Sequence, residues 1–160
     1  MLIRTFAMLF GFYLLACAAS GFAQAPASDA DTSAVRAFLQ QLTRATDAGD
    51  MQWVLARIDP SFIGYQRLAE GMRQEAVLLR QVRLIFLEPQ IVTGPDVAAV
   101  QVAWEKRFYT ANDYRPGLVA GNALLLLHRE PDGWKLAAVA GDNPLTTASQ
   151  PAARERTRRP

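Results

Sequence analysis

Gly121-Asn-Ala-Leu-Leu-Leu-Leu-His-Arg-Glu-Pro-Asp-Gly-Trp-Lys-Leu-Ala-Ala-Val-Ala-Gly-Asp-Asn-Pro144 reads as one antiparallel β-hairpin, with both strands and the turn specified. The apolar run Ala123 to Leu127 leads into Glu130-Pro131-Asp132-Gly133, where proline presets φ and glycine accepts the left-handed conformation that closes a type I turn with a bulge. Trp134 to Ala140 is the return strand. With the bulge at the turn, Glu130 faces Trp134, His128 faces Leu136 and Leu126 faces Ala138. That register places His128 on the inner side with Trp134, and leaves Leu125, Leu127, Ala137 and Val139 as an apolar strip on the outer side. Such strips mark interfaces, and homodimerisation through the outer sheet face is the expectation.

Upstream of the hairpin the period is also two. Val97 to Tyr109 alternates Val100, Val102, Trp104 and Phe108 on one face against Gln101, Glu105 and Arg107 on the other, with Lys106 as the exception. Leu84 to Val92 is a further strand, and its Pro89 assigns it to an edge or a bulge. Thr93-Gly94-Pro95-Asp96 turns the chain between the two. Tyr109 to Gly117 is a polar and aromatic loop.

The first half switches to helical spacing. Val35, Phe38, Leu39 and Leu42 share one face of a helix capped by Asp31, Thr32 or Ser33. Asp47-Ala48-Gly49-Asp50 ends it and caps a second helix carrying Met51, Val54, Leu55 and Ile58, stopped by Asp59-Pro60. Ser61 to Tyr65 reads as a strand or a bend. Met72 to Val82 reads as a third helix with Ala76, Leu79 and Val82 inward.

The N-terminus belongs to no fold. Arg4 is the only charge in the first 28 residues, an apolar run follows from Thr5 to Ala16, and small residues lead out of it. This is the pattern of a secretory signal peptide, and the run is short of the roughly 20 residues a spanning helix needs. Residues 1–23 are therefore expected to be a leader, 24–31 a linker, 32–147 one domain and 148–160 a disordered basic tail. Localisation is then periplasmic or secreted. Leu14-Leu15-Ala16-Cys17 also resembles a lipoprotein box, so an outer-membrane lipoprotein anchored at Cys17 is the alternative, and the only one that brings in a membrane. Cys17 is the sole cysteine, so a mature chain without it has no disulfide, thiolate nucleophile or cysteine metal site. From residue 26 to 150, twelve Lys and Arg stand against fourteen Asp and Glu, so the basic character lies in Arg154, Arg156, Arg158 and Arg159. Export argues against nucleic acid as their partner.

Helices followed by antiparallel strands and a terminal hairpin define an α+β domain, with helices packed on one face of a strongly curved sheet. Through Asp47-Ala48-Gly49-Asp50, Asp59-Pro60-Ser61-Phe62 and Asp132-Gly133-Trp134-Lys135-Leu136, the chain resembles the nuclear transport factor 2-like superfamily, the cone fold of steroid isomerase, scytalone dehydratase and polyketide cyclase relatives. The resemblance implies a pocket between helices and sheet. It does not choose a function, because the superfamily contains enzymes, binding modules and assembly parts.

His128, the only histidine, is a candidate general base if Asp96 or Glu105 orients it. No catalytic residue is assigned beyond these three candidates. The aromatic residues Trp53, Tyr65, Trp104, Phe108 and Trp134, with His128, are candidates for lining a ligand cavity. No metal site or cofactor is expected. The reading is an exported, non-catalytic domain that binds a small apolar molecule or an envelope protein. The alternatives are a cofactor-free isomerase, dehydratase or cyclase, and an accessory protein of envelope assembly.

Overall fold

The computed structural model of the chain describes residues 29–147. The expected leader, Cys17 and the basic tail lie outside them.

Three helices come first: α1 Asp29–Ala48, α2 Met51–Ala56 and α3 Tyr65–Leu78. Four strands follow: β1 Leu79–Thr93, β2 Val97–Thr110, β3 Pro116–Glu130 and β4 Gly133–Gly141. The strands form one antiparallel meander in the order β1-β2-β3-β4, a curved, unclosed sheet with the helices on one face.

In α1 the stripe Val35, Phe38, Leu39 and Leu42 is buried as its spacing requires. The helix starts at Asp29, inside the segment expected as linker, because Asp29 and Asp31 in its first turn complement the positive helix end. Gly49, at φ 71°, closes it, and Asp50 caps α2 by accepting a hydrogen bond from the Trp53 amide at 3.0 Å.

Helix α3 is displaced from its expected position. It occupies Tyr65–Leu78 rather than 72–82, and buries Leu68, Ala69 and Met72. Leu79 and Arg80 are claimed by strand pairing with Thr110 and Tyr109, which ends the helix four residues early. Pro89 in β1 behaves as expected. Register shifts between Leu87 and Gln90, with Glu88 at φ 42°, and β1 is an edge strand. The other edge is covered in part by the segment after α2, where the Asp59 amide donates to the Leu136 carbonyl at 2.9 Å and the Leu136 amide to the Arg57 carbonyl at 2.8 Å.

The hairpin has its turn where the sequence put it but its bulge elsewhere. Glu130 pairs with Gly133, so the loop is the two residues Pro131 and Asp132, and the register shift falls between Leu126 and Leu127, opposite Ala137. Arg129 therefore faces Trp134 and Leu127 faces Leu136, while Leu126 does face Ala138. The consequence is an exchange of faces on β3. Leu125 and Leu127 are buried, whereas Leu124 and Leu126 point to solvent. The expected outer strip of Leu125, Leu127, Ala137 and Val139 is corrected accordingly. Trp134 and Leu136 remain inward, joining Val100, Val102 and Trp104 of β2 and the apolar stripe of α1 in the core.

Candidate functional site

Alternation along β2 carries every even-numbered residue inward from Val100, so Lys106 follows Trp104 into the interior. Its side chain is 1% exposed, and its ammonium donates to Glu75 Oε2 of α3 at 2.9 Å. The other oxygen, Glu75 Oε1, accepts from the hydroxyls of Thr146 at 3.3 Å and Thr147 at 2.6 Å, and from the Thr147 amide. One carboxylate thus joins helix, sheet and the segment after β4. Burial alone would raise the Glu75 pKa, but the Lys106 charge and the Thr147 and Lys106 hydrogen bonds outweigh it and hold the group below its usual range. Burial pulls the Lys106 pKa down against the opposing pull of Glu75.

This pair stands in the wall of a pocket of about 80 Å³ between helices and sheet, bounded also by Thr46, Met51, Met72 and Leu145. The volume is well below the roughly 300–1,000 Å³ typical of small-molecule sites. None of the six cavity candidates lines it. Trp104 and Trp134 are core residues. Trp104 Nε1 donates to the Asp142 carbonyl at 2.9 Å, and Trp134 lies under the Arg129 guanidinium at 4.7 Å. Trp53 and Tyr65 pack half-buried at the margin of the core, with Arg57 over the Trp53 ring at 5.6 Å. Phe108 borders an open groove at the other end of the sheet, together with Arg83, Glu105, Arg107 and Leu118.

His128 is on the outer side of the sheet, a correction that follows from the hairpin register. It pairs with Val97 and Lys135. Asp96 lies in the exposed turn before β2, where its carbonyl accepts from the Arg129 amide at 2.8 Å. Glu105 pairs with Ala120, eight residues along β3 from His128, a separation of roughly 27 Å, and its carboxylate accepts from Arg107 at 2.8 Å. Neither candidate acid is the imidazole's partner. That place belongs to Asp59, whose Oδ2 is 3.8 Å from His128 Nδ1. Asp59 Oδ1 accepts from the Ser61 hydroxyl at 2.6 Å and amide at 2.7 Å. These bonds lower its pKa, with His128 and Lys135 adding to the effect. Donor atoms of Asp59, His128 and Glu130 lie within 4.8 Å of one another. Local spacing could not reveal Asp59, because its position depends on the long-range bridge between Ile58 and Leu136. Lys106 had a signal, as the one charge on the apolar face of β2.

The outer face also carries exposed apolar residues. Val92 of β1 pairs with Ala99 of β2 and begins a row that the register continues through Leu126 to Ala138, straight across all four strands. Val92, Val97, Leu87, Leu124 and Leu126 are all between 40% and 66% exposed.

No protein-family model matches the chain, and no curated protein does. Solved structures do. A dehydratase candidate of the nuclear transport factor 2-like family from Streptomyces avermitilis superposes with TM-score 0.63 at 14% identity, over 71% of this chain and 97% of that one. The fold is that of the nuclear transport factor 2-like superfamily. A superfamily protein from Salmonella enterica serovar Typhimurium matches with TM-score 0.57 at 14% identity, over 74% of this chain and 96% of that one. A scytalone dehydratase candidate from Novosphingobium aromaticivorans matches with TM-score 0.61 at 11% identity, over 69% of this chain and 81% of that one. Identities this low speak for the cone fold and not for a shared reaction.

Proposed function

We propose that the chain is an exported, non-catalytic nuclear transport factor 2-like domain that works by protein binding through the outer face of its sheet, in the first instance to a second copy of itself. The observation that carries this reading is the apolar row of Val92, Ala99, Leu126 and Ala138 across the four strands. A face of this kind loses free energy in water at about 25 cal/mol for each Å² left uncovered. The interior supports the same reading. The pocket beside Lys106 is small, and the lysine and glutamate in its wall satisfy each other. Export is supported by the leader pattern of residues 1–23.

Sedimentation of the wild-type chain and of Leu126→Asp tests the proposal. The wild type is expected to be dimeric at about 100 μM, in the range of weak but specific association, and the variant monomeric. A wild type that stays monomeric at that concentration removes self-association as the role of this face. Cell fractionation tests export separately, and palmitate labelling of wild type and Cys17→Ser distinguishes the lipoprotein from the free form.

A second reading is a ligand-binding or enzymatic domain without cofactor. It is favoured by the Lys106 and Glu75 pair in the pocket wall and by the dehydratase candidates among the structural neighbours. In that reading the acid and base are these two residues rather than His128, which is outside the pocket.

A further inference from the structure

We propose that Asp59, His128 and Glu130 form a binding site for one zinc ion on the outer side of the sheet, beside the turn between β3 and β4. The proposal does not depend on the protein-binding reading. His128 and Glu130 are two residues apart on β3 and so project from the same face. Asp59 reaches them from the segment after α2, which the Asp59 amide and Leu136 carbonyl fasten to the edge of β4 at 2.9 Å. The three donor atoms already lie within 4.8 Å of one another. Tetrahedral zinc with bonds of about 2.0–2.2 Å needs its ligand atoms roughly 3.3–3.6 Å apart, so side-chain rotations of about 1 Å complete the set.

Each ligand is prepared for this role by its surroundings. Asp59 has one oxygen fixed by the Ser61 amide and hydroxyl and turns the other toward His128. The His128 side chain is 45% exposed, which leaves an approach for the ion and a position for water. Two carboxylates balance the charge of a dication. An imidazole beside them selects zinc over magnesium and calcium, which take all-oxygen shells. One group opposes the ion: the Lys135 ammonium donates to Glu130 Oε2 at 2.5 Å. Lys135 also has Asp132 Oδ1 at 3.6 Å, so it has a second carboxylate to move to when zinc takes Glu130.

The test is calorimetric titration of zinc chloride into the untagged full-length chain at neutral pH, beside His128→Ala, Lys135→Met and a magnesium control. Cys17 is common to all of them, so differences report on the proposed ligands. The expected result is one zinc per chain, affinity lower by roughly tenfold or more in His128→Ala, tighter binding in Lys135→Met, and no heat with magnesium. Equal zinc affinity in wild type and His128→Ala overturns the site, as does the absence of zinc binding by the wild type. Weaker binding in Lys135→Met overturns Glu130 as a ligand. Circular dichroism verifies that each variant is folded, and Glu130→Gln replaces His128→Ala if that variant is not, with the same loss expected.

Discussion

Glu75→Leu is the substitution whose outcome the interior dictates most directly. It leaves the Lys106 ammonium, 1% exposed, with its carboxylate partner gone. At 2.9 Å and an effective dielectric of about 20, the lost attraction is on the order of 6 kcal/mol, partly offset as the cavity relaxes or the lysine loses its proton. Breaking a buried pair from one side costs about 3–5 kcal/mol, and at roughly 4 °C per kcal/mol for a domain of this size the melting temperature falls by about 12–20 °C. Lys106→Met is expected to cost less, about 2 kcal/mol, because Glu75 is 12% exposed and keeps its donors from Thr146 and Thr147. The double variant is expected to recover to within about 1 kcal/mol of wild type, since apolar replacement of both partners removes the desolvation cost along with the attraction. Urea denaturation of all four proteins completes the cycle. If Glu75→Leu costs less than about 1 kcal/mol, or less than Lys106→Met, the ammonium is reaching water and the account of this pair is wrong.

The same pair sets an acid limit on stability. The Glu75 pKa is depressed below 4.5 in the folded chain, so its contribution is complete above that value and is lost as pH falls through the folded pKa. Urea midpoints measured from pH 6 down to pH 3 should therefore fall more steeply for wild type than for Glu75→Gln, and parallel curves would contradict the direction of the shift. At Gly121 an added Cβ would lie 2.5 Å from Asp142 Cβ, so Gly121→Ala must move Asp142 and its carbonyl, the acceptor for Trp104 Nε1. A loss of about 1–3 kcal/mol is expected in thermal melts, and an unchanged melting temperature would show that this turn yields without cost.

The parts of the fold legible in the sequence are those where one face is apolar and the other polar. The α1 stripe and the alternation of β2 each specify which side is buried, and Pro89 reports its own bulge because its missing donor has few places to go. The start of α3 was less legible. Leu68, Ala69 and Met72 repeat at helical spacing as well as Ala76, Leu79 and Val82 do, and only the pairing of Leu79 and Arg80 with the end of β2 decides between them.

The hairpin shows why the site was harder to read than the fold. Leu124 to Leu127 is an unbroken run of leucines, and the facing Ala137-Ala138 pair offers two small residues of equal size, so neither strand says which of its sides is buried. The position of one bulged residue settles the matter. A bulge at the turn would bury His128 and expose Leu127, whereas the bulge opposite Ala137 buries Leu127 and turns His128 outward. The docking of residues 57–59 against Leu136 then supplies the carboxylate that the outward imidazole meets. A single insertion in register thus moves the chemistry of this histidine from a pocket, where it would have been a general base, to an open surface, where its neighbours are Asp59, Glu130 and Lys135. It also moves two leucines from the core to the face on which a partner can bind. The functional reading of the hairpin is therefore a statement about register more than about composition.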